Sequence, residues 1–216
     1  MIEPMLRELA SRLKTFGAEL LPESILIRHG SREGRRLALT FDDGPDEMTP
    51  TYLELLETLG VEATFFVTGA NCAKHPQLVR DIEERGHELA GHGYTHTRFT
   101  ELDTSALLSE LRQTQALLPK PAGRRPLVRP PHGALSPRAL ATIAYAGFTT
   151  AMWSHNSEDW RERDPALLAQ HCEPRRLRAG DIMLLHEGQQ WTLDALPAIT
   201  KQLRSAGFEL TTVSGL

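Results

Sequence analysis

The chain has 216 residues, and its 24 Lys and Arg against 28 Asp and Glu leave a formal net charge of −4 at pH 7. This balance excludes a large positive field that would hold a phosphate backbone, so nucleic acid is not an expected partner. Hydrophobic residues make up 40% of the chain, which is enough for one folded core and excludes wholesale disorder.

The first twenty residues predict an amphipathic helix. Apolar side chains recur there at helical spacing, at Met5, Leu6, Leu9, Leu13 and Phe16. We expect this helix to pack on its own domain; peripheral contact of residues 1–20 with an anionic membrane is the alternative. Charges interrupt the segment too often for a signal-peptide core, and no stretch is apolar enough to span a bilayer, so we expect a cytoplasmic protein.

Residues 1–35 are expected to hold this helix and a lead-in strand, and residues 36–216 a single α/β domain. Seven short runs predict strands, several of them rich in β-branched and aromatic residues. They are RLALTF (36–41), ATFFVT (63–68), HELA (87–90), PLVR (126–129), FTTAMW (148–153), DIMLLH (181–186) and FELTTV (208–213). Helical segments separate them: Thr49–Leu59, Gln77–Arg85, Thr104–Leu118, Pro137–Ala146, Pro165–Cys172 and Thr192–Ser205. Such repeated passages predict parallel crossover units, in a complete or incomplete (β/α) barrel or an open doubly wound sheet.

Unusual polar residues follow the predicted strands, at the ends where parallel barrels place their active sites. Asp42 and Asp43, in TFDDGP, come directly after the first strand. Two adjacent carboxylates repel each other unless a cation or an arginine compensates, so we expect one of them to bind a metal ion. Taken alone, the pair also fits an ordinary turn with solvated acids.

His92 and His96, in GHGYTH, are four residues apart. This spacing predicts two imidazoles on one face of a helical turn, within reach of one ion, although on its own such a pair more often reflects chance or helix capping. With an aspartate as third ligand, the set leaves positions open for water and substrate. That composition is typical of a hydrolytic zinc site, and Co, Ni, Fe(II) and Mn accept the same donors. The sequence predicts a divalent metal, with zinc first among these.

Three further segments carry candidate residues. His186 ends an apolar strand in LLHEG, and a buried histidine that titrates near neutrality suits proton donation. Arg129, in VRPPHG, is confined by two prolines and could orient Asp42. Asp159 and Trp160, in SEDW, could orient His186 and offer a ring to a sugar face. A core histidine, a surface arginine and a turn with a packed indole are the plain structural readings of these segments.

In this order, the motifs TFDDGP, HGYTH, RPPHG, NSEDW and LLH resemble the polysaccharide deacetylase family, carbohydrate esterase family 4, whose shared unit is the NodB homology domain. The resemblance covers roughly residues 36–213 and includes GVEATFFVTGAN and LVRDIEERGHELAGH. Five ordered motifs are far more specific than any one of them. The resemblance implies a distorted (β/α) barrel, in accord with about seven parallel strands.

The resemblance also implies a catalytic role for each candidate. Asp42 is expected to be the general base and His186 the general acid, with Arg129 positioning Asp42 and Asp159 tuning His186. The expected metal ligands are Asp43, His92 and His96.

The same resemblance assigns the substrate pocket. Trp160 and Leu184 are expected to form its walls around the acetyl group, with Pro131 beside them, and the backbone N–H of His132 is expected to help hold the oxyanion. The implied activity is metal-dependent removal of N-acetyl groups from a saccharide of the N-acetylglucosamine type, oligomeric, polymeric or lipid-linked, releasing acetate and a free amine. A base paired with an acid suits amide cleavage, because an amine leaves poorly unless it is protonated.

Three residues depart from the family pattern. Gly93 stands where Ser or Thr usually follows the first histidine, so a hydrogen bond that braces the metal loop is missing or supplied otherwise. His132 replaces an aromatic residue, and Asn156 replaces the first Asp of DxxDW. None of the three is an expected ligand, base or acid, so the departures bear on specificity.

Other functions fit the same residues. An O-acetyl esterase and an amide hydrolase acting on a small non-sugar molecule are the nearest alternatives. A non-heme Fe(II) oxygenase uses a similar ligand set, but its first histidine and carboxylate usually share one short strand motif, whereas Asp43 lies far upstream of His92. A non-catalytic binding protein would be expected to have lost Asp42 or His186.

Overall fold

The computed structural model describes residues 21–216. The predicted N-terminal helix and its alternative, membrane contact through residues 1–20, lie outside the described residues. Within residues 21–216, none of the helices combines the length and apolar character needed to cross a bilayer.

In the described part of the chain, nine strands form a single sheet. Their bounds are β1 Leu26–Ile27, β2 Arg36–Asp42, β3 Thr64–Val67, β4 Glu88–Gly91, β5 Leu127–Val128, β6 Thr149–Ala151, β7 His155–Asn156, β8 Ile182–His186 and β9 Glu209–Thr211. All seven predicted strands are present. Two strands lie outside these seven runs and have two residues each, too few to show an alternating pattern. β1 lies within the segment for which a lead-in strand was expected, and β7 was not predicted.

The sheet is parallel throughout and winds in one direction. Its order is β1-β6-β5-β4-β3-β2-β8-β7, with β9 paired to β2 beside this path. Consecutive strands from β2 to β6 are neighbours, as in a barrel, rather than reversing at a switch point as in a doubly wound sheet. Because β1 and β7 remain as separate edges, the barrel is incomplete, and the predicted distorted, incomplete (β/α) barrel is confirmed.

Seven α-helices are described. They are α1 Thr49–Leu59, α2 Gly69–Lys74, α3 Pro76–Glu84, α4 Thr104–Gln115, α5 Pro137–Tyr145, α6 Pro165–His171 and α7 Gln190–Ser205. All six predicted helices are present, and only the short α2 was not predicted. Side chains of Asp103, Ser136 and Asp164 cap α4, α5 and α6 by accepting hydrogen bonds from first-turn backbone N–H groups.

The alternation of side chains along β2 separates the core from the site. Leu37, Leu39 and Phe41 are fully buried in the main hydrophobic cluster with residues of the surrounding helices. The intervening positions, Ala38, Thr40 and Asp42, point to the opposite, inner face of the curled sheet. This period of two places Asp42 inside the half-barrel at the carboxyl end of β2.

Candidate active site

The parallel arrangement gathers the predicted polar residues at one rim. Asp42 ends β2 and lies opposite His186, which ends the neighbouring β8. His92 directly follows β4, and Arg129 directly follows β5. These strands are all parallel, so their carboxyl ends meet at the same edge of the half-barrel.

Asp43, His92 and His96 form a compact group of possible metal ligands. One ligand atom from each residue lies within 4.8 Å of the other two. Asp43 Oδ1 is 3.0 Å from His96 Nε2 and 3.5 Å from His92 Nε2. That oxygen is buried and makes no well-directed hydrogen bond within the described residues. Two imidazole nitrogens converging on an unsatisfied carboxylate oxygen fit a divalent ion of the zinc type.

The protonation of the group follows from its surroundings. His92 Nδ1 is 2.9 Å from the carbonyl oxygen of Arg129, and because a carbonyl only accepts, Nδ1 carries the proton and Nε2 is free to bind an ion. Burial acts to raise the pKa of Asp43, but its contacts with His92 and His96 outweigh burial and hold the pKa well below its usual range. The contact with Asp43 raises the pKa of His96.

The backbone between the two histidines differs from the prediction. They do not lie on one face of a helical turn, because residues 92–98 contain no helix. Gly93 and His96 instead adopt positive φ angles of 76° and 61°, which fold the segment into a loop. The prediction of a shared site is compatible with this loop, but the predicted helical geometry is wrong.

Asp42 and Arg129 form a buried ion pair. Arg129 Nη1 donates to Asp42 Oδ1 at 2.6 Å, and the two residues are 0% and 3% exposed. The same guanidinium donates to Thr40 Oγ1, to the carbonyl of Ala151 and to the carbonyl of Met152. These bonds hold the fork of Arg129 in one orientation and leave Asp42 Oδ2 without a bond to it.

His186 and Asp159 form the second pair. Asp159 Oδ1 lies 2.7 Å from His186 Nδ1, and Asp159 Oδ2 accepts from the backbone N–H of His186 and from Thr192 Oγ1. Burial by itself lowers the pKa of His186, but the bond to Asp159, its charge and the carboxylates of Asp42 and Asp43 outweigh burial and raise the pKa to about 8. The imidazole is therefore protonated at neutral pH, as a general acid requires.

Replacement of Asp159 by Asn is expected to move the alkaline limb of the kcat–pH profile to lower pH. A general acid must carry its proton, so activity is kept below the pKa of His186, about 8, and is lost above it. The Asn variant loses the charge that raises this pKa, while the burial that lowers it remains. The measurement is the profile of the metal-loaded variant against that of the metal-loaded wild type.

Thr192→Val is the matched control for this variant. It removes one hydrogen bond to Asp159 but leaves the carboxylate charge beside His186. We expect its alkaline limb to stay near that of the wild type. An alkaline limb that does not move in Asp159→Asn would contradict the assignment of His186 as the acid whose pKa Asp159 raises.

Asp42, His186 and the three possible metal ligands line one cavity of about 470 Å³, whereas Arg129 and Asp159 lie outside its lining. Its lining comprises Asp42, Asp43, His92, His96, Arg98, His132, Gly133, Trp153, Asn156, Trp160, Leu184, His186 and Gln189. Trp160 is 58% exposed at the cavity, which is unusual for so large an apolar ring, whereas Leu184 is buried in the wall. His132 is exposed and has a positive φ of 57°. Pro131 is buried and does not line the cavity.

Several residues of the cavity were not predicted. Trp153 ends the predicted apolar strand FTTAMW, so the sequence indicates a core residue there. Arg98 lies two residues after His96, where a charged side chain indicates only an exposed loop. Gln189 follows the LLHEG motif as an ordinary polar loop residue. Asn156, predicted as a departure from the family, faces the cavity.

A buried carboxyl group behind the site was also missed. Glu187 follows His186 and accepts a hydrogen bond from Thr49 Oγ1 at 2.6 Å. Burial raises the pKa of Glu187 to about 8. The bond from Thr49 lowers this pKa, and the negative charge of Asp46 raises it, but both effects are smaller than that of burial. Its carboxyl group occupies the space that a side chain at position 44 would need, which explains the glycine in TFDDGP. Nothing in the sequence around Glu187 indicates that its side chain packs against Gly44 and Thr49.

The fold and this site define a class: a parallel α/β half-barrel in which Asp42, held by a buried arginine, and His186, held by a buried aspartate, line one cavity with a candidate metal group. The sequence profile of the family described as polysaccharide deacetylase matches residues 29–151. The chain belongs to the polysaccharide deacetylase family, which confirms the resemblance read from the five motifs.

Individual relatives agree with this assignment. A peptidoglycan-N-acetylglucosamine deacetylase of Bacillus cereus is 31% identical over 204 residues, covering 92% of this chain and 95% of the relative. The peptidoglycan-N-acetylglucosamine deacetylase PgdA of Listeria monocytogenes serotype 1/2a is 30% identical over 213 residues, covering 97% of this chain. The chain spans only 45% of the length of that relative.

A solved structure matches the fold over most of both chains. It is the crystal structure of a peptidoglycan N-acetylglucosamine deacetylase in complex with an N-hydroxybenzamide derivative. The TM-score is 0.82 at 29% sequence identity, and the match covers 88% of this chain and 92% of that chain.

Proposed function

We propose that this chain is a metal-dependent carbohydrate N-deacetylase, which hydrolyses an acetamide on an N-acetylglucosamine-type saccharide and releases acetate and a free amine. The observation that carries the proposal is the presence of two separately oriented titratable groups, Asp42 held by Arg129 and His186 held by Asp159, in one cavity with the Asp43–His92–His96 group. When two titratable groups of one site have different surroundings, those surroundings indicate which group gives a proton and which takes one.

Asp42 acts as the general base in this proposal. Its Oδ1 is occupied by Arg129, so Oδ2 is the atom that takes a proton from the attacking water. The guanidinium is fully buried and balances the carboxylate charge in an environment that water does not screen. Arg129 is fixed by hydrogen bonds to Thr40, Ala151 and Met152. Its fourth bond, to Asp42, therefore keeps that carboxylate from rotating out of position during the proton transfer.

His186 acts as the general acid. Its Nδ1 is committed to Asp159, which leaves Nε2 to deliver a proton to the departing nitrogen. A pKa of about 8 keeps the ring protonated at neutral pH but is low enough for the proton to be released. Asp159 stabilises the protonated ring and is itself fixed by Thr192 and the backbone N–H of His186.

The residues that would hold the metal are Asp43, His92 and His96. When bound there, a divalent ion supplies positive charge that polarises the substrate carbonyl and acidifies water. Zinc suits the donors best, and Co, Ni, Fe(II) and Mn accept them too. The backbone N–H of His132 is proposed to stabilise the oxyanion that develops on the substrate, as the family resemblance implies.

The proposed substrate is a saccharide because of the cavity's exposed ring and the names of the relatives. Trp160 offers a flat apolar face beside polar groups, the arrangement on which sugar rings stack. Leu184 supplies an apolar wall suited to the acetyl methyl group. The Bacillus cereus and Listeria relatives are named as deacetylases of peptidoglycan N-acetylglucosamine, which supports an N-acetylated sugar.

The proposal is tested by acetate release from metal-free enzyme to which Zn, Co, Ni, Mn or Fe(II) is added back. Substrates are N-acetylglucosamine oligomers and, for comparison, an O-acetylated xylan and a small N-acetyl amine. We expect metal-dependent release of acetate and amine in equal amounts from the oligomers. Release from the O-acetyl ester alone, or from the small amide alone, would replace the proposal by an esterase or a non-sugar amidase.

The cellular location is a separate proposal. The cytoplasmic location stays a prediction from the sequence, and contact of residues 1–20 with a membrane stays the alternative to their packing on the domain. A cytoplasmic location favours a substrate on that side of the membrane, such as a soluble or lipid-linked saccharide. Fractionation of cells that express the native protein tests both, and its recovery outside the cell would overturn the cytoplasmic assignment.

A further inference from the structure

The loop that carries two of the proposed metal ligands is braced by a carboxylate from a neighbouring helix. Glu110, on α4, accepts hydrogen bonds through Oε2 from the backbone N–H groups of Tyr94, at 2.6 Å, and Thr95, at 2.9 Å. Its Oε1 accepts from Thr95 Oγ1 at 2.8 Å. Both oxygens of one side chain are therefore bonded to the two residues directly before His96.

The opposite edge of the loop is held by the main chain alone. The backbone N–H of Gly69 donates to the carbonyl of Gly93, and that of Ala70 donates to the carbonyl of Tyr94, both at 2.9 Å. These bonds hold the carbonyl groups of the loop against the start of α2. In the described part of the chain, its N–H groups at positions 94 and 95 are held by Glu110. Without that carboxylate the two N–H groups would have no acceptor among residues 21–216.

Burial makes this brace specific. Glu110 is 9% exposed, and a carboxylate so far from water is stable only when its oxygens are well bonded. Bonds from an N–H to a charged acceptor are stronger and more directional than bonds between neutral groups. The side chain therefore restrains the path of the loop between His92 and His96.

The absence of a side chain at Gly93 leaves room for the carboxylate of Glu110. A Cβ atom at this position would lie 3.3 Å from Glu110 Oε2, 3.1 Å from Phe99 and 3.4 Å from Pro131, at a φ of +76° that side chains rarely adopt. A Ser or Thr here would crowd the carboxylate and strain the backbone. The family-pattern departure at position 93 thus coincides with a carboxylate that bonds the following two residues.

We propose that Glu110 is a positioning residue for the metal site: it sets the place of His96 through its bonds to Tyr94 and Thr95. This inference rests on the proposed function, since it concerns the ion held by Asp43, His92 and His96. Glu110 does not line the catalytic cavity, so it acts through the loop and not on the substrate.

The test compares zinc affinity in wild type, Glu110→Gln and Gly93→Ala, measured by competition with a chelator. Partners of a metal ligand typically change metal affinity by about 10–100-fold when removed, and we expect a loss in this range for Glu110→Gln, whose amide presents an N–H group to donors. Gly93→Ala is expected to weaken zinc binding by displacing the carboxylate. The visible spectrum of the Co(II) form and hydrogen exchange at the Tyr94 and Thr95 amides, which should become faster, report the same change without activity.

Asp181→Asn is the matched control. Asp181 is also a buried carboxylate that accepts three bonds, from Arg32, Ser154 and the backbone N–H of Arg178. It precedes β8 and therefore lies at the end of that strand away from His186. This variant is expected to lower the melting temperature while leaving zinc affinity and the Co(II) spectrum unchanged.

The outcomes separate this inference from the proposed function. If wild type binds zinc, and folded Glu110→Gln and Gly93→Ala keep its affinity, Co(II) spectrum and amide exchange, the positioning role is overturned and the proposed function stands. If Glu110→Gln does not fold, Gly93→Ala decides alone. If wild type binds no divalent ion, the proposed metal site and this inference both fail. If Asp181→Asn lost as much zinc affinity as Glu110→Gln, the loss would reflect lower overall stability of the fold, and the inference would also be overturned.

Discussion

Replacement of Asp42 by Asn is expected to lower kcat for acetate release by about 10²–10⁴-fold, the range for removal of a general base, while zinc stays bound. The Asn side chain keeps an oxygen acceptor for Arg129 but cannot take a proton from water at the position of Oδ2. The ligand atoms belong to Asp43, His92 and His96, so metal affinity should be retained. The measurements are steady-state kinetics on N-acetylglucosamine oligomers and zinc content after dialysis.

Asp46→Asn is the control for this prediction. Asp46 lies on the same segment, four residues further on, where its Oδ1 accepts from the backbone N–H of Met48 and its side chain does not line the catalytic cavity. We expect its kcat to stay within a few-fold of wild type. Full activity in Asp42→Asn would show that another group accepts the proton, and loss of bound zinc in that variant would show that Asp42 is a ligand.

Replacement of Arg129 by Met is expected to lower the free energy of unfolding by about 3–5 kcal/mol, the usual cost of removing one partner of a buried ion pair. Arg129 is the largest fully buried side chain of the described core, and its loss leaves the carboxylate of Asp42 without its counter-ion. The carbonyls of Ala151 and Met152 lose their donor as well. Urea unfolding of the metal-free proteins gives the comparison.

A double-mutant cycle separates the ion pair from packing. In Arg129→Met with Asp42→Asn, the buried charge is gone, so the double variant should be more stable than the sum of the single effects by about 1–3 kcal/mol. Arg161→Met, which breaks an exposed pair with Glu158, should cost no more than about 1 kcal/mol. Additive effects of the two buried substitutions would mean that packing of Arg129, not its charge, stabilises the site.

The sequence predicts best the elements that recur along the chain, namely the parallel strands and the helices between them. Buried parallel strands and their intervening helices have strong periodicity, and their order follows from short connections in a parallel sheet. The register then follows from alternation, which turns Asp42 inward beside His186 while Leu39 and Phe41 face the helices. For this reason the convergence of residues more than a hundred positions apart was predictable from strand ends alone.

The parts that sequence missed depend on single backbone angles and on distant side chains. The spacing of His92 and His96 matches a helical turn, but the positive φ of Gly93 and the bonds to Glu110 stabilise a loop instead. Glu187, which directly follows β8 far along the chain, packs against Gly44. Contacts of this kind leave no periodic pattern, because each involves one residue and one partner.

A related fold does not by itself establish an activity, and the proposed activity depends on the site. We claim that one divalent ion at Asp43, His92 and His96 is required for release of acetate. The most direct test is the same acetate assay with metal-free enzyme titrated with zinc on N-acetylglucosamine oligomers. We predict no release without metal and a rise in rate that reaches its plateau at one zinc per chain. Full release by the metal-free enzyme in the presence of a chelator would contradict the claim.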